Sequence, residues 1–276
     1  VKDFDSIFED YRPLPEEVTP STESISFEIP MNYALKNRER FRFAFEHSLP
    51  CIPEKLCTLV DIGTWPGSLL RLFHRLRPSK DYHLVGVGLM ASQEFISAMK
   101  EDCGAEIMEA MLDPKNQPLM EKGFPTRIPL DDNSAEVSFA MEVIPHLVSP
   151  AHFFSEAYRI CAPGGHFILT TTNASKIGSI FKLLAGRSTL DGVSLPENDY
   201  RNIDYPAVFR QYSMSEVHRL FSRVGFEIVE SRYFDVDVTQ YNVKSFSQRL
   251  IDWAKFPFSA VPHLRGHLLV IGRKPE

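Results

Sequence analysis

Residues 58–76 restrict this chain to a small set of folds. Residues 58–62, TLVDI, make an apolar run of the right length for one buried strand, and residues 63–67, GTWPG, place two glycines and a proline in five positions. From Ser68 onward, Leu69, Leu72, Phe73 and Leu76 recur at helical spacing, which puts one apolar face on a helix of two turns or more. Strand, glycine turn and helix in direct succession open a nucleotide-type α/β unit, where a ligand sits at the carboxyl end of the first strand. Glycine suits such a turn because a ligand approaches the backbone closely and because the turn takes positive φ.

The same turn narrows the ligand. A dinucleotide fingerprint needs G-x-G-x-x-G, with the pyrophosphate on free N–H groups at the helix start. Counted from Gly63, its second glycine falls on Trp65 and its third on Ser68, and Pro66 lacks a backbone donor. An NAD-dependent oxidoreductase is therefore disfavoured. A ligand with an amino-acid tail, an adenosine head and no phosphate is better served. An ordinary β–α turn with Asp61 as a cap stays open on these residues alone.

With 276 residues the chain can bury a sizeable core, and 43% hydrophobic and 24% charged residues are the balance of a soluble globular protein. A net charge of −6 speaks against a nucleic-acid surface. No apolar run approaches the roughly 18 residues of a membrane span. The first residues, VKDFDS, lack the basic and apolar regions of a signal peptide. Cys51, Cys57, Cys103 and Cys161 form no C-x-x-C pair, so we expect reduced thiols, a cytoplasmic location and no metal site.

Along the chain, Pro13, Pro15, Pro20 and Pro30 keep residues 1–30 irregular. In residues 33–48, Tyr33, Leu35, Phe41, Phe43, Ala44 and Phe45 interleave with Lys36, Arg38, Arg40 and Arg42. This predicts an amphipathic helix whose basic face is solvated, with a binding face as the alternative. Further strands are expected at 83–89, 105–112, 137–141, 166–173, 226–234 and 267–272, the last antiparallel to its predecessor. Helices are expected at 91–100 and 152–161, the latter stopped by residues 162–165, APGG. Ser213-x-x-Glu216 is a capping box for another helix, closed by Gly225. Residues 174–212 read as an insert, helical over 177–184, that mixes cations with aromatics, among them Lys182, Arg187, Tyr200, Arg201, Tyr205 and Arg210. It is expected to act as a lid within one domain spanning 31–276. The aromatic-rich residues 241–264 are expected to pack as a helix on the core.

Three stretches, in order, carry a resemblance. Residues 60–67, VDIGTWPG, resemble motif I of the class I S-adenosyl-L-methionine (SAM) methyltransferases. Residues 128–147, IPLDDNSAEVSFAMEVIPHL, are similar to the L-P-F-x-D-x-S-F-D-V-V and E-V-L-E-H-L runs of the type 11, UbiE-like members, with Pro145 in place of the second Glu. Residues 159–173, RICAPGGHFILTTTN, are similar to R-V-L-K-P-G-G-x-L-x-L-T-T-P-N. The resemblance implies an α/β, Rossmann-like, seven-stranded and mostly parallel sheet with helices on both faces and an antiparallel C-terminal strand.

It also implies SAM as cofactor, held by Asp61, Gly63, Thr64, Trp65, Gly67, Gly88, Leu89, Leu112, Asp113, Met141 and Glu142. In such a site Asp61 answers the ammonium group and the glycines make room, while Leu112 and Asp113 face the adenine. The family's ribose-binding acid at the end of the second strand is here Gly88, with Ser92 or Gln93 as candidate substitutes. His146, with its near-neutral pKa, is the candidate base, a structural cap being the alternative. Glu142 is the second candidate catalytic group, orienting the methionyl end or the acceptor. His146 and His152 have no third partner for a metal. The implied activity is methyl transfer to a small molecule, a hydroxyl of a glycan, lipid or metabolite being favoured; a SAM-binding domain without turnover is the alternative. No nucleic-acid partner is expected, and a homodimer is left open.

Overall fold

The computed structural model describes residues 3–9, 11–19, 31–78, 82–89, 91–115, 123–190, 208–236 and 260–276. Seven strands form its main sheet: β1 (Cys57–Ile62), β2 (Tyr82–Gly88), β3 (Glu106–Glu109), β4 (Ala135–Met141), β5 (Cys161–Thr172), β6 (Glu227–Phe234) and β7 (His267–Arg273). Their order is β3-β2-β1-β4-β5-β7-β6. The first five are mutually parallel, and β7 runs antiparallel to both its neighbours. The helices are α1 (Tyr33–Lys36), α2 (Arg38–Ser48), α3 (Ser68–Leu76), α4 (Gln93–Cys103), α5 (Pro150–Ile160), α6 (Ile177–Leu184) and α7 (Met214–Val224).

Strands β1 and β4 are apolar along nearly their whole length because both faces of the sheet are covered. On one face, Leu59, Val137 and Leu269 pack with Phe41 and Phe45 of α2, Phe73 of α3 and Phe95 of α4. On the other, Val60, Phe167 and Val270 pack with Phe153 and Phe154 of α5 and Phe221 of α7. The strand order reverses between β1 and β4, and that reversal opens a crevice at their carboxyl ends.

Local signals explain several boundaries. Ser92 caps α4 by accepting a hydrogen bond from the Phe95 amide, and Gly104 closes that helix at φ +70°. The Ser213 and Glu216 capping box opens α7, and Gly225 ends it at φ +109°. The APGG stretch is not the expected helix stop. Helix α5 ends at Ile160 and the chain enters β5 at once, with a register shift between Ala135 and Val137 of β4. Gly165 is needed there because a Cβ would meet the Ala162 and Glu136 carbonyl oxygens at 2.8 and 2.9 Å. The third strand stops four residues after it starts: past Glu109 the Met111 amide bonds to the Pro125 carbonyl.

The expected helix at 33–48 breaks at Asn37, whose side chain donates to the Tyr33 carbonyl. Its basic face is not solvated as expected. Arg38 and Arg42 pair with Asp5, their guanidinium groups over the rings of Phe8 and Phe4, and Arg40 is buried. The described part of the N-terminal stretch is packed on the domain, with Ile7 and Glu17 buried and a two-residue antiparallel pairing of Val18–Thr19 with Met31–Asn32. The insert keeps its helix α6, but Tyr200, Arg201 and Tyr205 lie outside the described residues, as does most of the stretch 241–264.

Candidate functional site

The motif residues meet at the carboxyl end of the parallel strands. Asp61 lies beside Phe139 of β4, and Ile62 beside Val87 of β2. The amides of Gly63 and Thr64 both donate to the Val87 carbonyl, at 2.7 and 3.1 Å, which ties the turn to β2. Gly63 and Gly67 both sit at φ +89°, a conformation that requires glycine. Neither is merely empty space: a Cβ at Gly63 would collide with Val143, just after β4, and one at Gly67 with Met99 of α4. Trp65 is 45% exposed, so its indole does not fill the core beneath the turn. Two clefts of about 410 and 400 Å³ lie at the opposite edge, around Pro163, His166 and Arg273 and around Phe73, Arg77 and Tyr82, and hold none of these residues.

Asp61 is buried at the end of β1. Burial pushes its carboxyl up to about 7, against a smaller opposing effect of the Thr64 hydroxyl. A raised pKa means that the native state favours the protonated acid. Its stabilising contribution is fully present below 3.8 and is lost as pH rises through about 7. Asp61→Asn should therefore be more stable than the parent protein at pH 8 and no more stable at pH 3.5, as measured by urea unfolding at the two values. A parent protein equally stable or more stable at pH 8 would contradict this.

Other expected site residues have partners of their own. The Asp113 carboxylate accepts from the amides of Val148 and Ser149, at 2.6 and 3.0 Å, and so fastens the entry to α5. Leu112 is buried in the core packed with α5. Met141 packs against the opposite core, its sulfur 3.7 Å from the Thr170 hydroxyl. Gly88 offers its carbonyl to the Ala110 amide, and Leu89 follows it in a bend. His146 ends a 3-10 turn, Ile144–His146, with its amide on the Val143 carbonyl. The chain returning from the insert covers that turn: the amides of Phe209 and Arg210 donate to the Pro145 carbonyl, and the Tyr212 hydroxyl to that of Ile144.

Among the expected site residues, Glu142 has three side-chain partners. Its φ is +59°, unusual for a side chain of this size. One carboxylate oxygen lies 3.1 Å from His267 Nδ1 and 3.9 Å from an Arg40 nitrogen, and the other accepts from the Thr172 hydroxyl at 2.9 Å. Burial alone would raise its pKa, but His267, Arg40 and Thr172 together hold it well below the usual carboxylate range. Nothing local in the sequence marks His267, because its partner lies 125 residues away.

A methyltransferase-domain family model matches residues 32–231. The chain belongs to that family. A Mycolicibacterium smegmatis protein named "Probable S-adenosylmethionine-dependent methyltransferase" is 30% identical over 104 residues, covering 38% of this chain and 33% of that protein. The match thus spans about a third of the relative's length. Among solved structures, a Haloferax volcanii protein in complex with the Trm112 methyltransferase activator has a TM-score of 0.53 at 20% identity, over 87% of this chain and 92% of its own. A SAM-dependent methyltransferase from Archaeoglobus fulgidus has a TM-score of 0.51 at 13% identity, over 88% and 100%. The [4+2]-cyclase SpnF shares the fold at a TM-score of 0.51 and 14% identity, over 86% and 82%.

The methyltransferase family uses SAM, and the residues present fit that group. Asp61 is a buried acid at the end of β1, the turn beside it runs through two positive-φ glycines, and a Cβ at Gly88 would meet only one atom, Thr64 Cγ2, at 3.6 Å. The end of β2 thus has room beside Gly88, which itself carries no acid. Among the described residues no cluster of three metal-ligating side chains occurs, and no helix is long and apolar enough to cross a membrane.

Proposed function

We propose that this chain transfers the methyl group of SAM to a small-molecule acceptor, a hydroxyl of a glycan, lipid or metabolite. The observation that carries the reading is the placement of Asp61, Gly63 and Gly67 at the strand-order reversal of a methyltransferase sheet. SAM supplies a methyl group on sulfonium, already activated for displacement. What the chain must add is alignment of acceptor and methyl in a cleft that excludes water. Asp61 answers the ammonium group, Gly63 and Gly67 keep the turn close to the cofactor, and the chain at 208–212, lying on the turn after β4, walls the acceptor side.

One set of observations favours a second reading, a SAM-binding domain without turnover: Gly88 brings no carboxylate to the ribose, and Asp113 is held by two backbone amides. Calorimetry with SAM, S-adenosylhomocysteine and NAD separates these readings from a nicotinamide enzyme. We expect both sulfur compounds to bind and NAD not to. S-adenosylhomocysteine release on an acceptor panel of sugars, lipids and phenols then separates turnover from binding alone. Binding of NAD without SAM would remove the proposal.

A further inference from the structure

Glu142 and His267 lie at the same end of the sheet as the motif turn. Glu142 directly follows β4, Thr172 closes β5 and His267 opens the antiparallel β7, so all three stand at the carboxyl edge of the sheet. Val143, the next residue, lies against Gly63 of the cofactor turn. The dyad is therefore one residue along the chain from a side chain that touches that turn. The carboxylate at 3.1 Å from Nδ1 fixes the proton on that nitrogen. Nε2 is left as the lone-pair nitrogen, and among the described residues it makes no hydrogen bond; the side chain is 24% exposed.

From this geometry we propose that His267 Nε2 is the proton acceptor for the substrate hydroxyl, with Glu142 as the positioning residue behind it. The inference rests on the methyl-transfer reading and adds the group that takes the proton from the acceptor hydroxyl. As the hydroxyl oxygen bonds to the methyl carbon, the carbon–sulfur bond breaks with its electron pair left on sulfur. The O–H proton passes to Nε2, and the imidazolium formed is stabilised by the Glu142 carboxylate. Carboxylate, imidazole and nucleophile in a row follow the same logic as other activated hydroxyls.

The groups around the imidazole support this assignment. Arg40 of α2 lies 3.9 Å from the Glu142 oxygen that faces Nδ1, and Thr172 of β5 donates to the other carboxylate oxygen. From β6 the ring meets Phe234, at 5.4 Å between centroids. Just beyond β6, the Asp235 carboxylate accepts from the Gly266 amide beside His267. Glu142 is thus held by two hydrogen-bond donors, His267 and Thr172, with the Arg40 guanidinium as a longer ion-pair contact. The left-handed backbone at Glu142 is a further sign of a residue held in place for a purpose.

The decisive test is the tautomer of His267, read by nitrogen-15 NMR in the full chain and in E142Q from pH 5 to 9. We expect the Nδ1–H form in the parent protein. In E142Q that preference should be lost. The free Nε2 should react with diethylpyrocarbonate at pH 7 and be slowed several-fold by S-adenosylhomocysteine. For an acceptor that the parent protein methylates on oxygen, H267Q should be slower by about 10²–10⁴-fold. An Nε2–H tautomer in the parent protein, a tautomer preference unchanged in E142Q, or equal rates in H267Q would overturn the proposal. Failure of S-adenosylhomocysteine to bind in calorimetry would overturn the methyl-transfer reading instead, and the tautomer would still report on the dyad.

Discussion

Glu17→Ala is expected to lower the unfolding free energy by about 3–5 kcal/mol, the range for removing one partner of a buried ion pair. Glu17 is 0% and Arg71 1% exposed, and they are paired. Glu17 also accepts from the hydroxyls of Tyr11 and Ser68 and from the Leu14 amide. Arg71 donates further to Tyr11, to Asp102 and to the Arg12 carbonyl. Truncation would leave the guanidinium with Asp102 as its one carboxylate and would strip several donors of their acceptor at once. Because Asp102 remains, the effect should fall toward the lower end of the range. Glu17→Met with Arg71→Met should recover much of the loss, since replacing both ions by apolar groups of similar volume is often close to neutral. Urea unfolding of the parent, single and double variants decides it. A single-variant loss under about 1 kcal/mol would show that the pair holds no appreciable stability.

The position of this pair gives it a second consequence. Ser68 is the first residue of α3, the helix that leaves the glycine turn. Residues 11–17 are therefore fastened to the very element that presents the cofactor turn. Releasing them should weaken SAM binding as well as the fold, and should expose the segment to limited proteolysis.

None of this pairing was legible in the sequence, whereas most of the sheet was. Strand β1, helix α3 and the capping box of α7 are written in short-range patterns: a short apolar run, helical spacing and a Ser–Glu pair three residues apart. Glu17 and Arg71 are 54 residues apart, and Glu142 and His267 are 125; no local period records such a meeting. The same limit hid the use of Asp113 on the amides of Val148 and Ser149. It also made Arg38, Arg40 and Arg42 look like a solvated face, because Asp5 and Glu142 lie far from them along the chain. The antiparallel pairing of the last strand with its predecessor was readable, but its seat between β5 and β6 was not, since either edge would satisfy its apolar pattern.

Gly88→Asp should tighten SAM binding by about 10- to 100-fold, equivalent to about 1.5–3 kcal/mol for hydrogen bonds to a charged group. The position tests the cofactor reading more cleanly than the motif glycines do. A side chain at Gly63 would have to displace Val143 and adopt φ +89°, so lost binding there would be mixed with lost stability. Gly86, two residues earlier in β2, is closed as well, since a Cβ would lie 2.7 Å from Ile107 and 2.8 Å from Thr64. Gly88 alone among these has a Cβ contact at an ordinary 3.6 Å and no positive φ. An aspartate there would stand at the end of β2, where two ribose hydroxyls are expected in a SAM site. Glu109 is its neighbour across the ladder, so some like-charge repulsion offsets the gain and sets the lower bound. Calorimetry with SAM and S-adenosylhomocysteine should show the gain for both ligands. A 2′,3′-dideoxy analogue should show none, and Gly88→Asn should show less because its amide carries no charge. An affinity unchanged in Gly88→Asp for every ligand would place the ribose away from the end of β2, and with it the cofactor away from this crevice.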